Sequence, residues 1–242
     1  MRDIFKGFAL AVSMLTTLPF FKVHNFYKGI NGYAVMFYPL VGFVLGALLW
    51  GVYLLLAPYT SSLHAGVIIF ALWILLTGAL HLDGFSDTVD GLYVCKEKAL
   101  EVMKDAHVGG MGMIVSGTFL ILKASSLAHF ELFYLLPLIL MLSRLNAVLA
   151  IYFYPYITQE GMGTLAKEEF TKTQLFVTLF YSFLIVLLYN KLLLFVSALL
   201  VLFVIKSFFI KRYGGFSGDV YGFTIEVTEL TLLNILLFGF FI

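Results

Sequence analysis

Seven long apolar runs constrain the fold of this chain more than any other feature of its sequence. They lie at about 33–57, 65–82, 111–129, 132–154, 175–189, 192–210 and 223–242. Each approaches the ~20 residues that a helix needs to cross a hydrocarbon core, where only helices and closed barrels satisfy their backbone hydrogen bonds. With 62% hydrophobic and 12% charged residues, the chain is too apolar for a soluble core. The sequence predicts an all-α polytopic membrane protein with about seven transmembrane helices, in one domain over residues 1–242.

Two stretches depart from simple crossings. The segment from Gly7 to Phe21 is short for a span, contains Pro19 near its end and lacks an A-x-A-like cleavage site. We therefore expect a retained interfacial or re-entrant helix there. The runs 175–189 and 192–210 are separated only by Asn190 and Lys191, which predicts a tight helical hairpin.

The basic residues of the connections indicate an orientation. The connections 22–32, 83–110, 155–173 and 211–222 contain Lys22, Lys28, Lys96, Lys98, Lys104, Lys167, Lys172, Lys211 and Arg212. The connections 58–64, 130–131 and 190–191 contain only Lys191. By the positive-inside rule, the first and longer set faces the cytoplasm. The net charge of +1 gives no support to a nucleic-acid partner, so the partner that the composition requires is the lipid bilayer.

The segment HLDGFSDTVDG places three carboxylates directly after an uncharged run. In a helix, Asp83, Asp87 and Asp90 would lie within an arc of about 60° on one face. An aspartate at the membrane centre costs roughly 2.5–3.5 kcal/mol, so the three must lie at the interface, face a wet cavity or hold a cation. The glycines of the segment leave room for a phosphate or a metal, and carboxylate oxygens favour Mg²⁺ or Mn²⁺. A solvated helix end is the alternative.

A second acidic segment, GGFSGDVYGFTIEVTE at 214–229, has the same character. Asp219 precedes Glu226 by the interval that separates Asp83 from Asp90, and Glu229 follows one helical turn later. Its glycines include Gly214, Gly215 and Gly218. Both segments fall on the predicted cytoplasmic side, so they could close around a divalent-metal site for a diphosphate. The alternative is an interfacial loop with unpaired surface acids.

Between the acidic segments, KEKALEVMKDAHVGGMG at 96–112 predicts an amphipathic helix on the membrane surface. Lys104 is suited to neutralising phosphate, and Asp105 to orienting a nucleophile or joining a metal site. A merely solvated helix is the alternative.

Two isolated charges lie within apolar runs. Arg144 carries a bidentate fork that suits phosphate or carboxylate, and we weigh contact with a ligand against a structural ion pair. Lys123 lies on the outer half of its predicted span, which favours a structural role. His81 either supports the acidic segment or caps its helix.

Five blocks of sequence, in order, resemble the cobalamin 5'-phosphate synthase family, also called adenosylcobinamide-GDP ribazoletransferases. They are SMLTTLPF, FYPLVGFVLG, HLDGFSDTVDG, VMKDAHVGGMG and GGFSGDVYGFTIEVTE. The resemblance implies a Mg²⁺-dependent transferase of cobalamin biosynthesis in the cell inner membrane, with Mn²⁺ as a substitute metal. Its substrates would be adenosylcobinamide-GDP and α-ribazole or α-ribazole 5'-phosphate, with release of GMP. Oligomeric state stays open, a homo-oligomer being one alternative.

The resemblance and the chemistry of the residues singled out above together give the expected roles. The expected metal ligands are Asp83, Asp87, Asp90, Asp219 and Glu226. The expected general base is Asp105 or Glu229, between which the sequence does not choose. The expected substrate-binding residues are His81, Lys104, Arg144, Gly214, Gly215 and Gly218.

Two other functions fit part of the pattern. A CDP-alcohol phosphotransferase begins its motif D-x2-D-G, which Asp87, Asp90 and Gly91 satisfy, but Val94 and Cys95 stand where that motif has Ala-Arg. A cation-coupled transporter would use the carboxylates as ion sites near the midplane, usually within inverted repeats. The acids here crowd one predicted membrane face, and the sequence shows no repeat.

Overall fold

The computed structural model describes residues 2–19, 27–105, 107–158 and 161–239. Its helices are α1 (Arg2–Leu15), α2 (Ile30–Leu56), α3 (Ser62–Thr77), α4 (Leu80–Leu92), α5 (Lys96–Val102), α6 (Gly110–Ala128), α7 (Leu136–Phe153), α8 (Met162–Glu169), α9 (Lys172–Leu188), α10 (Leu192–Tyr213) and α11 (Gly218–Leu237). Across those ranges the chain is helical apart from its connections, a 3₁₀ turn at Phe133–Leu135 and an isolated bridge between Tyr156 and Phe216. The predicted all-α class is confirmed.

In the part of the chain that the structure describes, five helices are long and apolar enough to cross a membrane: α2, α6, α7 with its preceding 3₁₀ turn, α10 and α11. Two bent pairs pass the same test together, α3 with α4 at 85° and α8 with α9 at 92°. The described ranges therefore contain five to seven candidate spans, in agreement with the predicted number. Helix α1 has 14 residues, about 21 Å, which is shorter than a hydrocarbon core of about 30 Å. The last residues of the predicted N-terminal segment, Phe20 and Phe21, lie outside the described ranges.

Helix α7 is the centre of the bundle, since every residue from Leu136 to Ile151 is buried. A helix that is mostly apolar on all sides belongs in such a place, and the few polar side chains of α7, Ser143, Arg144 and Asn146, are buried with it. Helix α2 packs along it through Gly42 and Gly46, where a Cβ would overlap backbone atoms of α7. Small residues at this spacing let two helix backbones touch, which is how helices gain packing energy when no water drives them together.

The predicted span 65–82 is wrong at its end. Helix α3 stops at Thr77, and Gly78 and Ala79 both adopt left-handed backbone angles (φ 59° and 55°) before α4 begins at Leu80. Left-handed residues cannot continue a right-handed helix, so the chain turns sharply. The segment HLDGFSDTVDG therefore forms a helix of its own, and its three aspartates share one face as predicted.

The surface helix predicted over 96–112 is also shorter than expected. Of the described residues between α4 and α6, only those of α5, Lys96–Val102, are helical, and α6 begins at Gly110. Lys104, Asp105 and Val108 therefore lie in a connection. The short connection of the predicted hairpin is confirmed, because α9 ends at Leu188, α10 begins at Leu192 and Asn190 between them is left-handed (φ 53°).

Candidate active site

The two acidic segments lie side by side because α4 and α11 pack closely. A Cβ at Gly84 would lie 3.0 Å from the Cα of Asp219, and one at Gly222 would lie 3.0 Å from the carbonyl oxygen of His81. Just beyond this contact, Phe85 of α4 stacks on Phe223 of α11, with ring centroids 5.2 Å apart. The predicted approach of the two segments is confirmed, and glycine on both helices makes it sterically feasible.

Three carboxylates, Asp83, Asp87 and Asp219, form what we call the acidic cluster. Asp83 is exposed and the other two are half-buried. Asp83 and Asp219 both act electrostatically on the carboxylate of Asp87, so three like charges share one region. None of the three forms an ion pair within the described ranges. Their charge is therefore not neutralised by a protein cation in direct contact.

The acidic cluster has the donor chemistry of a Mg²⁺ site. It offers oxygen donors without sulfur or nitrogen, which hard divalent cations prefer. The side chains are not yet arranged around a point: among the residues that the structure describes, no three His, Cys, Asp or Glu side chains are placed to ligate one ion. The residues present thus fit the metal by charge and donor type, and coordination would require their side chains to converge.

Asp90, the third aspartate of α4, has a different environment. Its buried carboxylate accepts hydrogen bonds from the backbone N–H groups of Gly109 and Gly112, both at 2.7 Å. A Cβ at either glycine would overlap this carboxylate. A negative side chain also interacts favourably with the N-terminal end of a helix dipole. Asp90 therefore fixes the start of α6 against α4, while its predicted role as a metal ligand stays a prediction.

Four charged residues form a second cluster, deeper along α11, which we call the buried ion network. Lys123 Nζ lies 2.7 Å from Glu226 Oε2 and 2.6 Å from Glu229 Oε2, and Arg144 Nη1 pairs with Glu229 Oε1. Ser143 donates its hydroxyl to the same Glu229 oxygen at 3.3 Å. The exposed fraction of the side chain is 1% for Arg144 and 0% for Glu229. Two cations and two anions balance in a site closed to water.

The buried ion network bears on three predicted roles. The sequence predicts that Arg144 either contacts a ligand or forms a structural ion pair. In the structure its side chain contacts the side chains of Glu229, Ser143 and His81. Glu226 and Glu229 already neutralise two cations, so their predicted roles in metal binding and catalysis would require breaking buried ion pairs. The structural role predicted for Lys123 agrees with its ion pairs to Glu226 and Glu229, but the sequence reasoning did not identify these partners. The available signal was the rule that a charge inside a span needs a partner.

Lys104 and Asp105 lie exposed in the connection between α5 and α6. Lys104 acts electrostatically on Asp219, which brings it within range of the acidic cluster. Hydrogen bonds from the backbone N–H and then the ring of His107 hold the pKa of Asp105 below its usual value. Asp105 is therefore a carboxylate exposed to solvent and ionised at neutral pH.

The predicted glycines surround the start of α11. Gly214 ends α10 with a left-handed backbone (φ 84°). Gly215 packs so closely on Pro155 that a Cβ would overlap its carbonyl oxygen. Gly218 is exposed, with the Tyr156 hydroxyl 3.8 Å from where its Cβ would be. Gly218 alone of the three lines the cavity described next.

A cavity of about 340 Å³, the central cavity, adjoins the acidic cluster. Its walls come from α1, α2, α4, α7, α8 and α11, and they include Asp83 and Asp219 of the cluster. Most other wall residues are apolar or aromatic, among them Met14, Ile151 and Ile225. A mostly apolar cavity with a few polar groups at one side is typical of small-molecule sites.

Comparison with known proteins identifies the family. A family model described as Cobalamin-5-phosphate synthase matches residues 7–237, which include every helix of the acidic cluster and the buried ion network. The chain belongs to the cobalamin-5-phosphate synthase family. The resemblance found in the five sequence blocks is thereby confirmed.

Curated members of the cobalamin-5-phosphate synthase family are similar over most of the chain, and the three that follow are each named adenosylcobinamide-GDP ribazoletransferase. The protein from Thermosynechococcus vestitus is 41% identical, covering 81% of this chain and 82% of the relative. The protein from Desulforamulus reducens is 36% identical and covers 98% of both chains. One from Acinetobacter baumannii is 32% identical, over 97% of this chain and 98% of the relative. No solved structure matches.

Proposed function

We propose that the chain is a Mg²⁺-dependent transferase that joins adenosylcobinamide-GDP to α-ribazole or α-ribazole 5'-phosphate and releases GMP. The observation that carries the proposal is the acidic cluster between α4 and α11, whose carboxylates form no ion pair within the described ranges. The names of the family relatives supply the substrates. We place the reaction at the cytoplasmic face of the inner membrane, because the basic connections lie on the same side as the cluster.

The chemistry requires charge neutralisation more than covalent participation by the protein. A ribose hydroxyl of the acceptor forms a new P–O bond with the cobinamide-side phosphorus, the P–O bond to GMP breaks, and the hydroxyl proton is lost. We propose that Asp83, Asp87 and Asp219 hold the metal. A divalent cation bound there would neutralise the diphosphate and stabilise the leaving oxygen of GMP.

The chain's own residues would position the two substrates. Lys104 is exposed and acts on Asp219, so it is placed to contact a phosphate beside the acidic cluster. We favour Asp105 over Glu229 as the general base, because Asp105 is exposed whereas Glu229 is buried and paired with Lys123 and Arg144. An acceptor of protons must be within reach of the reacting hydroxyl.

A turnover assay tests the proposed function. The full chain in lipid nanodiscs is given adenosylcobinamide-GDP, α-ribazole and Mg²⁺, and GMP is quantified by chromatography. We expect GMP release that requires both ribazole and the metal, and that EDTA abolishes. Glu131→Gln, which removes an exposed carboxylate outside the acidic cluster, should release GMP at the wild-type rate. A folded protein that releases no GMP under these conditions contradicts the proposal.

The single cysteine provides a test of the proposed orientation. Cys95 is free and exposed, and it lies between α4 and α5. A membrane-impermeant maleimide should therefore label inverted inner-membrane vesicles and leave intact spheroplasts unlabelled. Labelling of spheroplasts alone would place the acidic cluster on the other side of the membrane.

A further inference from the structure

Two residues in the wall of the central cavity, His81 and Tyr221, each carry a buried polar atom that has no hydrogen-bond partner in the described part of the chain. The atoms are His81 Nε2 and the hydroxyl oxygen of Tyr221. His81 is 4% exposed and Tyr221 is 8% exposed. Buried polar atoms are nearly always paired, so two unpaired atoms in one cavity call for an explanation. A ligand that occupies the cavity would supply both partners.

The surroundings of His81 determine what its Nε2 can offer. Arg144 Nη2 lies 3.5 Å from His81 Nδ1. Because a guanidinium can only donate, Nδ1 must accept, and a neutral imidazole then carries its hydrogen on Nε2. His81 Nε2–H is therefore a hydrogen-bond donor without a partner in the described part of the chain, on a residue that lines the cavity. The contact of Nδ1 with Arg144 of the buried ion network favours this tautomer.

The ring of Tyr221, which carries the second unpaired atom, is held in place by stacking on other aromatic rings. Tyr221 stacks on Tyr156 and on Phe216, with centroids 5.8 Å apart in both pairs. Tyr156 in turn packs against Gly163 of α8, where a Cβ would overlap its hydroxyl. The Tyr221 hydroxyl is thus fixed in orientation, and it can donate or accept one hydrogen bond.

We propose that the central cavity binds the nucleoside acceptor, ribazole, with its base among the apolar walls and its ribose toward Asp83 and Asp219. The His81 Nε2–H group and the Tyr221 hydroxyl bind the polar atoms of this nucleoside. This inference rests on the proposed function and extends it, because it assigns one of the two substrates to a defined site and names Tyr221 as a specificity residue.

The volume and the apolar walls of the central cavity favour ribazole over adenosylcobinamide-GDP as its ligand. A volume of about 340 Å³ lies at the lower end of the ~300–1,000 Å³ range of small-molecule sites, which suits a bicyclic base with ribose but not a corrin. Guanine has several donors and acceptors on its edges and would leave many of them unpaired among apolar walls. A benzimidazole base has one free ring nitrogen, which one donor satisfies.

The position of the cavity fits the reaction geometry. Asp83 and Asp219 belong both to the cavity wall and to the acidic cluster. A ribose at this end of the cavity would therefore present a hydroxyl to a diphosphate held at the cluster. The apolar walls would keep bulk water away from the other end of the acceptor.

A binding experiment separates this inference from the proposed function. Isothermal titration calorimetry on the full chain in nanodiscs measures the binding of α-ribazole without metal and, separately, the binding of GMP in the presence of Mg²⁺. Tyr221→Phe, which removes only the hydroxyl, should weaken ribazole binding about tenfold and leave GMP binding within about twofold. His81→Asn keeps a polar atom toward Arg144 but loses the donor toward the cavity, so it should weaken binding similarly. His81→Gln, whose amide reaches the Nε2 position, should restore most of the affinity.

Two further variants complete the experiment: a matched tyrosine control outside the cavity and a substitution that fills the cavity. Tyr181→Phe makes the same change on α9, away from the cavity, where the hydroxyl donates to the Met36 carbonyl at 2.8 Å. It should lower thermal stability and leave ribazole affinity unchanged, whereas Tyr221→Phe should not lower stability. Ala147→Met places a side chain in the cavity and should abolish ribazole binding.

Three outcomes overturn the inference. The first is an unchanged ribazole affinity in both Tyr221→Phe and His81→Asn. The second is ribazole binding that survives Ala147→Met. The third is a loss of GMP affinity in place of ribazole affinity in these variants, which would make the cavity a guanine site. Any of these can occur while the wild type releases GMP normally, in which case the proposed function stands without the assigned cavity. A wild type that binds ribazole through these residues but releases no GMP would refute the proposed function alone.

Discussion

Removal of Lys123 is the sharpest test of the buried ion network. In Lys123→Met, Glu226 and Glu229 would share one remaining cation, Arg144, in a site where the Lys123 side chain is 5% exposed. Breaking a buried ion pair by removing one partner costs about 3–5 kcal/mol. The contact of Lys123 Nζ with the Trp73 ring, 4.3 Å from its centroid, is lost as well, and such a contact contributes up to about 2 kcal/mol when desolvated. Because the ion pair contributes most, we expect a loss of about 3–5 kcal/mol, a large fraction of the ~5–15 kcal/mol stability of a typical domain.

A second substitution shows that the loss is electrostatic. Lys123→Met with Glu226→Gln restores one cation to one anion, so the double variant should regain all but about 1–2 kcal/mol of the wild-type unfolding free energy. The remainder reflects the lost contact with Trp73. SDS titration in mixed micelles, followed by far-UV circular dichroism, measures the unfolding free energy of each variant. A single variant within about 1 kcal/mol of wild type, or a double variant no more stable than the single, refutes the reasoning.

Three further predictions concern the acidic cluster and its support. Asp87→Asn should reduce GMP release by on the order of 10²–10³-fold. It should not lower the unfolding free energy, because it relieves repulsion from the neighbouring carboxylates. A fall in the unfolding free energy together with the fall in activity would contradict this. Asp90→Asn should cost about 1.5–3 kcal/mol, because two backbone amides lose a charged acceptor, and hydrogen exchange at the start of α6 should accelerate. Gly84→Ala should reduce GMP release, since its Cβ would lie 3.0 Å from Asp219 and force α4 from α11. Gly117→Ala on α6, whose Cβ would meet nothing within 4 Å, is the control, and equal activity of the two variants would refute the close-packing argument.

Much of the fold follows from patterns that act locally. Apolar runs of spanning length predict the helices, because the bilayer leaves few alternatives for the backbone. The bend after α3 does not follow from the sequence, because Gly78 and Ala79 lie inside a continuous apolar run. Only their left-handed backbone angles, which tertiary packing selects, reveal that α4 is a separate helix.

The candidate site could be predicted only in part, because its carboxylates follow from local spacing whereas their neighbours depend on how the helices pack. Spacing places Asp219 and Glu226 on the same face of α11, but seven residues rise about 10 Å along a helix. Asp219 therefore meets Gly84 of α4, whereas Glu226 meets Lys123 of α6. Helical periodicity gives the face of a residue and not the neighbour that this face contacts. The depth of each carboxylate along α11 became visible only with the packing of three helices.

The central claim is that Asp83, Asp87 and Asp219 hold the metal while the buried ion network does not. Anomalous scattering from Mn²⁺ in crystals of the full chain, grown from a lipid phase, tests it directly. We expect an anomalous peak between α4 and α11 within coordination distance of the acidic cluster, and no such peak in Asp87→Asn crystals. A peak at Glu226 and Glu229, or a peak unaffected by Asp87→Asn, would contradict the account.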